Sequence, residues 1–350
     1  MKILVATDDR LFNYDLCAAY ISLGFEVHTG LANLFLRQQD FDLIHFQWPE
    51  ELASPNPTDR TTVQRAIDCV AWWRQRSTLV CSVHNLLPHY ASKDGTSHWL
   101  YESFYAQMHA IGHFNQTSRE AVAMTFPAVS AEKQFIHGMN LYSGLRRFSA
   151  GRTEARKALG IADSRFVVAA IGQLRSAAEL TLVQDAIDRA TDSKPLPIFA
   201  SRLPARRQPL SAWQSYRHRK WARRHAALEF HGFLNDDVLV RLIEASDAIV
   251  IPRLKRQMNT GLLPLAMTFA TPVIAPDFGV YTELLGTSEN ELYTPDDANA
   301  LAGAIDRMAH KPAEALRTAN RELSSQWGWD FVVRRILDQI GGPTAAVHGR

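Results

Sequence analysis

Cysteine is scarce in this 350-residue chain: Cys17, Cys69 and Cys81 are the only three. The number is odd and each sits among apolar residues, so reduced core thiols suited to the cytosol are expected and not a disulfide framework. Long hydrophobic runs are missing too. No apolar stretch approaches the ~20 residues that a membrane-spanning helix needs. The apolar start, Met1 to Ala6, is cut short by Thr7-Asp8-Asp9-Arg10 and reads as a first buried strand, not a secretory signal. Excess charge is also lacking: 38 Lys and Arg against 36 Asp and Glu leave a net charge of +2. That argues against nucleic acid as a partner. Paired His or carboxylate spacings typical of zinc or magnesium sites do not occur, so neither a metal nor a resident cofactor is expected.

What is present is the balance of a globular protein, 46% hydrophobic and 21% charged, long enough for two domains. Short β-rich runs alternate with helical patterns. Lys2–Ala6, Glu26–Thr29, Leu43–Phe46, Leu79–Val83 and Gln134–Ile136 read as strands. Tyr14–Leu23, Thr61–Arg74 and Ser97–Ala110 read as helices, the second with Ala66, Val70 and Trp73 on one face. A second series comprises Phe166–Ile171, Ile198–Ala200, Leu228–Phe230, Ala248–Ile251 and Pro272–Ala275. Apolar strands interleaved with helices imply parallel sheets covered on both sides. Between the series, Tyr142–Gly160 is rich in Gly, Ser, Arg and Ala and reads as a linker. The expected divisions are therefore 1–145, 160–322 and a C-terminal helical segment 323–350 that packs on either lobe.

Ligands of open parallel sheets bind beyond the carboxyl ends of the strands, so the residues just after each strand are the candidates. The stretch Asn259-Thr260-Gly261 precedes an apolar helix, where Asn or Thr caps and Gly261 admits close approach. The amides and dipole at such a start suit a diphosphate. After the next strand, Gly279 is placed to offer its amide to phosphate and Glu283 to accept from ribose hydroxyls. An ordinary capped helix and a tight turn would look the same.

The order Asn259-Thr260-Gly261, apolar helix, Thr271-Pro-Val-Ile-Ala-Pro276 and Gly279-x-x-x-Glu283 resembles the donor-binding core of GT-B glycosyltransferases. More narrowly, it is similar to bacterial exopolysaccharide and glycolipid mannosyl- and glucosyltransferases. Three N-terminal stretches fit the same family: His45-Phe-Gln-Trp48-Pro-Glu50, Val83-His84-Asn85-Leu-Leu-Pro-His89 and Phe135-Ile-His137-Gly138. Gly172-Gln-Leu-Arg175 resembles the turn after the first strand of the donor lobe. The resemblance implies an α/β GT-B fold, two Rossmann-like domains facing across a cleft, with the acceptor on the N-terminal side and the nucleotide sugar on the C-terminal side. It implies a metal-independent hexosyltransferase acting from GDP-mannose or a UDP-sugar on a lipid-linked or oligosaccharide acceptor. Arg175, Phe233, Asn259, Thr260, Gly261, Gly279 and Glu283 become the donor contacts. Phe233 fits the nucleotide base or the core equally well.

The chain departs from that pattern. Many retaining members carry two glutamates where Gln257 and Leu265 stand, and a lysine where Ser176-Ala177-Ala178 comes after the turn. Arg175 with Lys255 or Arg256 is expected to supply the charge instead. These departures favour an inverting displacement, with a retaining enzyme or a non-catalytic sugar-nucleotide-binding protein as alternatives. An inverting enzyme needs a base in the N-terminal lobe. Glu50 is the first candidate, equally readable as a solvated or helix-capping carboxylate, and Asp9 is the second, in a strand-to-helix loop where Asp more often caps a helix. His84 is expected to reach donor sugar or phosphate, with Trp48, Asn85, His89 and His137 lining the acceptor side. Finally, Arg202, Arg206, Arg207, Arg217, Arg219, Lys220, Arg223 and Arg224 interleave with Trp213, Tyr216 and Trp221. Such a segment is a solvated helix face or a peripheral contact with the inner face of a membrane. It fits single-stranded nucleic acid poorly, because the rest of the chain is not basic.

Overall fold

The computed structural model describes residues 1–88, 91–200, 210–232 and 234–341. His89, Phe233, Arg202, Arg206 and Arg207 lie outside the described residues. The chain forms two compact units, one of Met1–Asn140 with Gln326–Arg350 and one of Leu141–Ser325.

In the first unit, β1 (Lys2–Ala6), β2 (Glu26–Thr29), β3 (Leu43–Phe46), β4 (Thr78–Ser82), β5 (Ala110–His113) and β6 (Gln134–Ile136) form one parallel sheet. The order is β2-β1-β3-β4-β5-β6. β3 and β5 are buried at every position, which is why they read as continuous apolar runs without alternation. Helices cover the sheet. Arg60–Arg74 starts where the Asp59 side chain accepts from Thr62 N–H at 2.8 Å, and Gln116–Thr125 starts at Asn115 in the same way. The last helix, Trp329–Gln339, buries Trp329, Val332, Val333, Ile336 and Leu337 among Ile3, Val5, Leu16 and Tyr20. Each such side chain contributes roughly 1.5–3 kcal/mol, so this helix is part of the first unit's core. The helix expected over Ser97–Ala110 is shorter: it spans Thr96–Gln107, Met108 turns extended, and Ala110 opens β5.

In the second unit, β7 (Val167–Ile171), β8 (Leu196–Ala200), β9 (Leu228–Phe230), β10 (Ala248–Val250), β11 (Val273–Pro276) and β12 (Glu291–Tyr293) form a second parallel sheet, ordered β12-β11-β10-β7-β8-β9. The stretch expected to be a linker is folded into this unit, with a 3-10 turn at Ser143–Phe148 and a helix at Arg152–Leu159. Its polar residues are structural ties. Arg156 is fully buried, donating to the carbonyls of Ala245, Ala162, Asp163 and Arg165 and to Asp247 Oδ2 at 2.5 Å. The amides of Ala150 and Gly151 both donate to Glu244 Oε2 at 3.1 Å. Hydrogen bonding of this completeness is what makes burial of a charge tolerable.

Each sheet has one place where the chain reverses the direction in which it adds strands. In the first unit it falls between β1 and β3; in the second, between β7 and β10. The loops leaving those strands diverge and open a crevice beyond the carboxyl ends.

Candidate functional site

In the second unit the two loops at the reversal each deliver an arginine. The turn after β7 uses Gly172 at φ +87°, a left-handed backbone that favours glycine. It leads to Arg175 and then to Ser176, whose hydroxyl caps the helix Ala177–Arg189 by accepting from Glu179 N–H at 3.2 Å. Ser176, the first residue of the Ser176-Ala177-Ala178 stretch, is thus spent on starting a helix. Arg253 comes just after β10. Its Nη1 donates to Glu179 Oε2 at 2.9 Å and to the Gln173 carbonyl at 3.0 Å, while the Arg175 amide donates to the same Glu179 oxygen at 2.6 Å. One carboxylate therefore serves two arginines. Loss of water around Arg175 and the Arg253 charge beside it hold its guanidinium below the ordinary range, which leaves the loops short of negative charge. Lys255 and Arg256, expected to supply positive charge, are exposed on the same loop, while Arg253 is half-buried beside Glu179.

The remaining donor candidates surround this pair's loops. The helix Leu262–Thr268 has Gly261 as its first boundary residue, without a side-chain cap. Thr260 hydrogen-bonds the hydroxyl of the buried Tyr281 and accepts only a long 3.5 Å bond from Leu263 N–H. Pro264 removes a further donor, so this start offers fewer amides than the sequence suggests. Gly261 has ordinary backbone angles, and a Cβ there would meet the Tyr142 hydroxyl at 3.2 Å, not another backbone. Gly279 is different: at φ +56° and ψ −131° it lies where only glycine is at ease, and a Cβ would meet the Gln257 carbonyl at 2.7 Å. Gln257 folds its amide back onto the Lys255 carbonyl at 2.9 Å. Asn259 is half-buried, and Glu283 is exposed in the first turn of the helix Val280–Leu285.

In the first unit, the loops after β1, β3 and β4 carry the polar groups. Glu50 lies on the 3-10 turn Pro49–Ala53 after β3. Its Oε2 accepts from the buried Tyr101 hydroxyl at 2.5 Å, and its Oε1 lies 3.5 Å from Asn85 Nδ2. Burial, the adjacent Glu50 charge and the hydrogen bond itself hold the Tyr101 hydroxyl protonated, so it is the donor in this bond. His84 Nε2 donates to Gln47 Oε1 at 2.7 Å, and the ring stacks on Trp48 with centroids 4.2 Å apart. Burial and the charges that His137 and His45 would carry push His84 well below its ordinary value, so it stands neutral. Glu50, Asn85, His84 and Trp48 are therefore one assembly. Asp9 is exposed; its amide donates to Thr7 Oγ1 at 3.1 Å and its carbonyl accepts from Asn13.

His137 sits elsewhere. It is fully buried, and its tautomer is fixed by its partners. A carbonyl only accepts, so Nδ1–H donates to Gly138 O at 2.9 Å. Nε2 then accepts the Ser82 hydroxyl at 3.0 Å, Ser82 Oγ accepts His45 Nε2–H at 2.9 Å, and His45 Nδ1 accepts the Tyr20 hydroxyl at 3.1 Å. This chain of neutral donors and acceptors ties β3, β4 and the end of β6 together. It places His137 in the core of its unit, where both ring nitrogens have partners.

Four residues absent from the candidate set belong to these loops: Arg253, Glu179, Gln47 and Glu51. Arg253 stands just after β10 as Arg175 stands just after β7, so the same strand-end position marks both. Ser176-x-x-Glu179 is a capping spacing. Glu51 bridges the β1 and β3 loops by accepting from the Thr7 hydroxyl and Asp8 amide, and burial raises its carboxyl above the usual range. Nothing in its sequence neighbourhood separates it from Glu50. Among the described residues no three His, Cys, Asp or Glu side chains gather as a metal-binding group.

This arrangement, two parallel six-stranded sheets with their polar loops at the strand reversals, is the GT-B architecture. Residues 165–311, which lie in the second unit, match the family model of glycosyl transferases group 1. The structure is similar to HepE of Anabaena in complex with UDP-glucose, with a TM-score of 0.69 and 16% identity over 97% of this chain and 99% of that one. It is similar to a glycosyltransferase from Rickettsia africae, TM-score 0.68 at 12% identity over 96% and 97%. It also resembles sucrose-phosphate synthase from Thermosynechococcus elongatus, TM-score 0.68 at 14% identity over 97% and 98%. In sequence, an uncharacterized glycosyltransferase of Methanocaldococcus jannaschii, MJ1607, is 25% identical over 113 residues, which is 31% of this chain and 29% of that protein.

Proposed function

We propose that the chain transfers a hexosyl group from a nucleotide sugar to a lipid-linked or oligosaccharide acceptor, with inversion at the anomeric carbon. The observation that carries this reading is that the Arg253 guanidinium and the Arg175 main-chain amide both bind the single carboxylate of Glu179. That brings the two arginine-bearing loops together at the strand reversal of the segment that matches the group 1 model. Two guanidinium-bearing loops with one counter-charge suit a diphosphate, whose charge grows as the sugar leaves. Because arginine carries that charge, the reading includes no metal requirement, and activity persists in EDTA. HepE forms a complex with UDP-glucose, which supports a UDP-sugar beside GDP-mannose as the donor.

On the acceptor side, Glu50 is the proposed base. Asn85 and Tyr101 orient its carboxylate, and it would take the proton from the attacking hydroxyl. His84, neutral and fixed by Gln47 and Trp48, is proposed to donate or accept hydrogen bonds to the sugar, not to carry charge. A donor panel of UDP-glucose, UDP-galactose and GDP-mannose with a lipid extract as acceptor tests the reading. An anomeric proton coupling in the product that matches inversion supports it; a retained configuration overturns the inverting part.

One observation favours a second reading. Gln257 and Leu265 stand where many retaining relatives have glutamates, and Gln257 is turned back on its own loop. A non-catalytic sugar-nucleotide-binding protein would show donor binding by calorimetry with every donor and turnover with none.

A further inference from the structure

The helix Ala212–Arg224 of the second unit is sharply two-faced. It is held in place by a capping box between Ser211 and Gln214. Its inner face is fully occupied. Trp221 packs edge-on against Phe199 with centroids 5.7 Å apart and donates from Nε1 to Asp188 Oδ1 at 2.9 Å. His218 binds Glu229 at 2.5 Å and accepts from Gln184 at 3.0 Å. Trp221, grouped by sequence with the exposed aromatics, is therefore a core residue at 9% exposure.

The outer face sets exposed aromatic rings beside cations. Trp213, Tyr216, Arg217, Lys220, Arg223 and Arg224 have the i, i+3, i+4, i+7, i+10, i+11 spacing of one helical stripe, with Arg219 on its flank. Trp213 is 63% exposed and Tyr216 59%. The Arg217 guanidinium lies over the Trp213 ring, 4.8 Å from its centroid. Within Ala212–Arg224 there are four Arg or Lys besides Arg224 and no Asp or Glu. Among the acidic neighbours, Asp188 pairs with Arg224 and His225, Glu229 with His218, and Asp185 lines the groove beside Trp213 and Arg217. Arg219, Lys220 and Arg223 are exposed, and with Arg217, which has Asp185 beside it, they give this face a predominantly positive field. Two large aromatic rings left in water beside such a field are costly for a solvated helix and well placed for an interface of headgroups and acyl chains.

We propose that this stripe is a docking surface for an anionic lipid membrane, with Trp213 and Tyr216 entering the headgroup layer and the cations bound to lipid phosphates. Charge complementarity selects the lipid: a neutral bilayer offers the rings a place but the cations nothing. The surface deepens the acceptor side of the proposed function and rests on that reading, since a lipid-linked acceptor resides in such a bilayer. It is nevertheless testable without any transfer reaction, so the failure of one claim is read apart from the failure of the other.

Vesicle co-sedimentation of the full chain is the test, comparing phosphatidylcholine with a 3:1 mixture of phosphatidylcholine and phosphatidylglycerol. Each cation near an anionic surface contributes about five-fold in partitioning, so the mixed vesicles bind on the order of 100-fold more strongly at low salt, and binding falls steeply as salt rises. Arg217→Gln with Lys220→Gln and Arg223→Gln removes on the order of 100-fold. These positions are exposed, so thermal unfolding is unchanged. Brominated lipid quenches tryptophan fluorescence in the parent and not in Trp213→Phe. Equal binding of both vesicle types overturns the proposal. So does binding that the triple variant leaves intact, or a soluble polyanion such as heparin bound with the same variant dependence while vesicles are not.

Discussion

Nη1 of Arg253 donates to Oε2 of Glu179 at 2.9 Å, with both side chains nearly buried, at 11% and 4% exposure. The same oxygen takes the Arg175 amide. Removing either partner leaves a buried charge without its counter-charge, which typically costs about 3–5 kcal/mol. The two losses differ in what they do to a ligand. Arg253→Met lowers stability and also removes a cation from the proposed diphosphate site, weakening nucleotide affinity by roughly 10- to 100-fold. Glu179→Gln lowers stability but leaves both cations, so affinity for UDP or GDP is kept or rises. Urea denaturation and calorimetry separate the effects; equal affinity in parent and Arg253→Met excludes the pair as the phosphate clamp.

Three glycines of the second unit rank differently once their surroundings are known. Gly279→Ala drives a Cβ to 2.7 Å from the Gln257 carbonyl at a backbone angle that L-residues avoid. It is expected to cost about 2 kcal/mol or more and to displace the Arg256–Gln257 loop. Gly172→Ala meets no atom within 4 Å, so only its positive φ is penalised, at about 1 kcal/mol. Gly261→Ala approaches the Tyr142 hydroxyl at 3.2 Å and is expected to be the mildest. Unfolding midpoints of the three variants give the order directly; Gly261→Ala as the most damaging would contradict it.

Much of the fold is legible from the chain alone, and the exceptions have physical causes. β1, β2, β3 and β6 have the bounds that the sequence predicts, because turns or polar residues frame each apolar run. β5 is absorbed into a helical pattern, since Ala110-Ile-Gly-His113 is too short and too buried to show a period of its own. β12 is a three-residue edge strand whose Glu291 binds Arg307 and Lys311, so it carries no apolar signature. The segment Tyr142–Gly160 looks like a linker because its arginines and serines are paired with distant residues such as Glu244 and Asp247. Glu50 and Asn85 stand out separately in the sequence, yet only the fold brings them within reach. Glu179 carries a capping spacing and Arg253 a strand-end position, but their pairing across 74 residues leaves no local trace.

Glu50→Gln tests the proposed base. The substitution keeps the shape and the bond from Asn85 but can no longer take a proton, so kcat should fall by roughly 10²- to 10⁴-fold. Donor affinity should stay within about two-fold, because Glu50 and the paired arginines belong to different units. The Tyr101 hydroxyl loses its charged acceptor, and a modest stability loss of about 1 kcal/mol is expected with it. Turnover that survives the substitution transfers the role to another group, and Asp9→Asn is then the next variant to measure.

The histidine chain sets a pH limit on the first unit. Burial, with the neighbouring imidazoles second, lowers His45 to about 3 and His113 to about 3, and burial lowers His137 to about 4, against about 6.5 in the unfolded chain. The folded state thus binds fewer protons than the unfolded state between those values. Stability is complete above pH 6.5 and falls as pH drops, by up to about 1.4 kcal/mol per pH unit for each histidine. Urea midpoints should be flat from about pH 7 to 8 and fall steeply between about 6 and 4.5. Ser82→Ala removes the link between His45 Nε2 and His137 Nε2 and leaves a buried donor and acceptor unmatched, at about 1–3 kcal/mol. Gly112→Ala is harsher, because its Cβ would lie 2.3 Å from His137 Cδ2 with no open side to yield; little folded protein is expected. If acid stability matches that at neutral pH, the histidines must be charged in the fold, and the chain of neutral donors from Tyr20 to Gly138 is wrong.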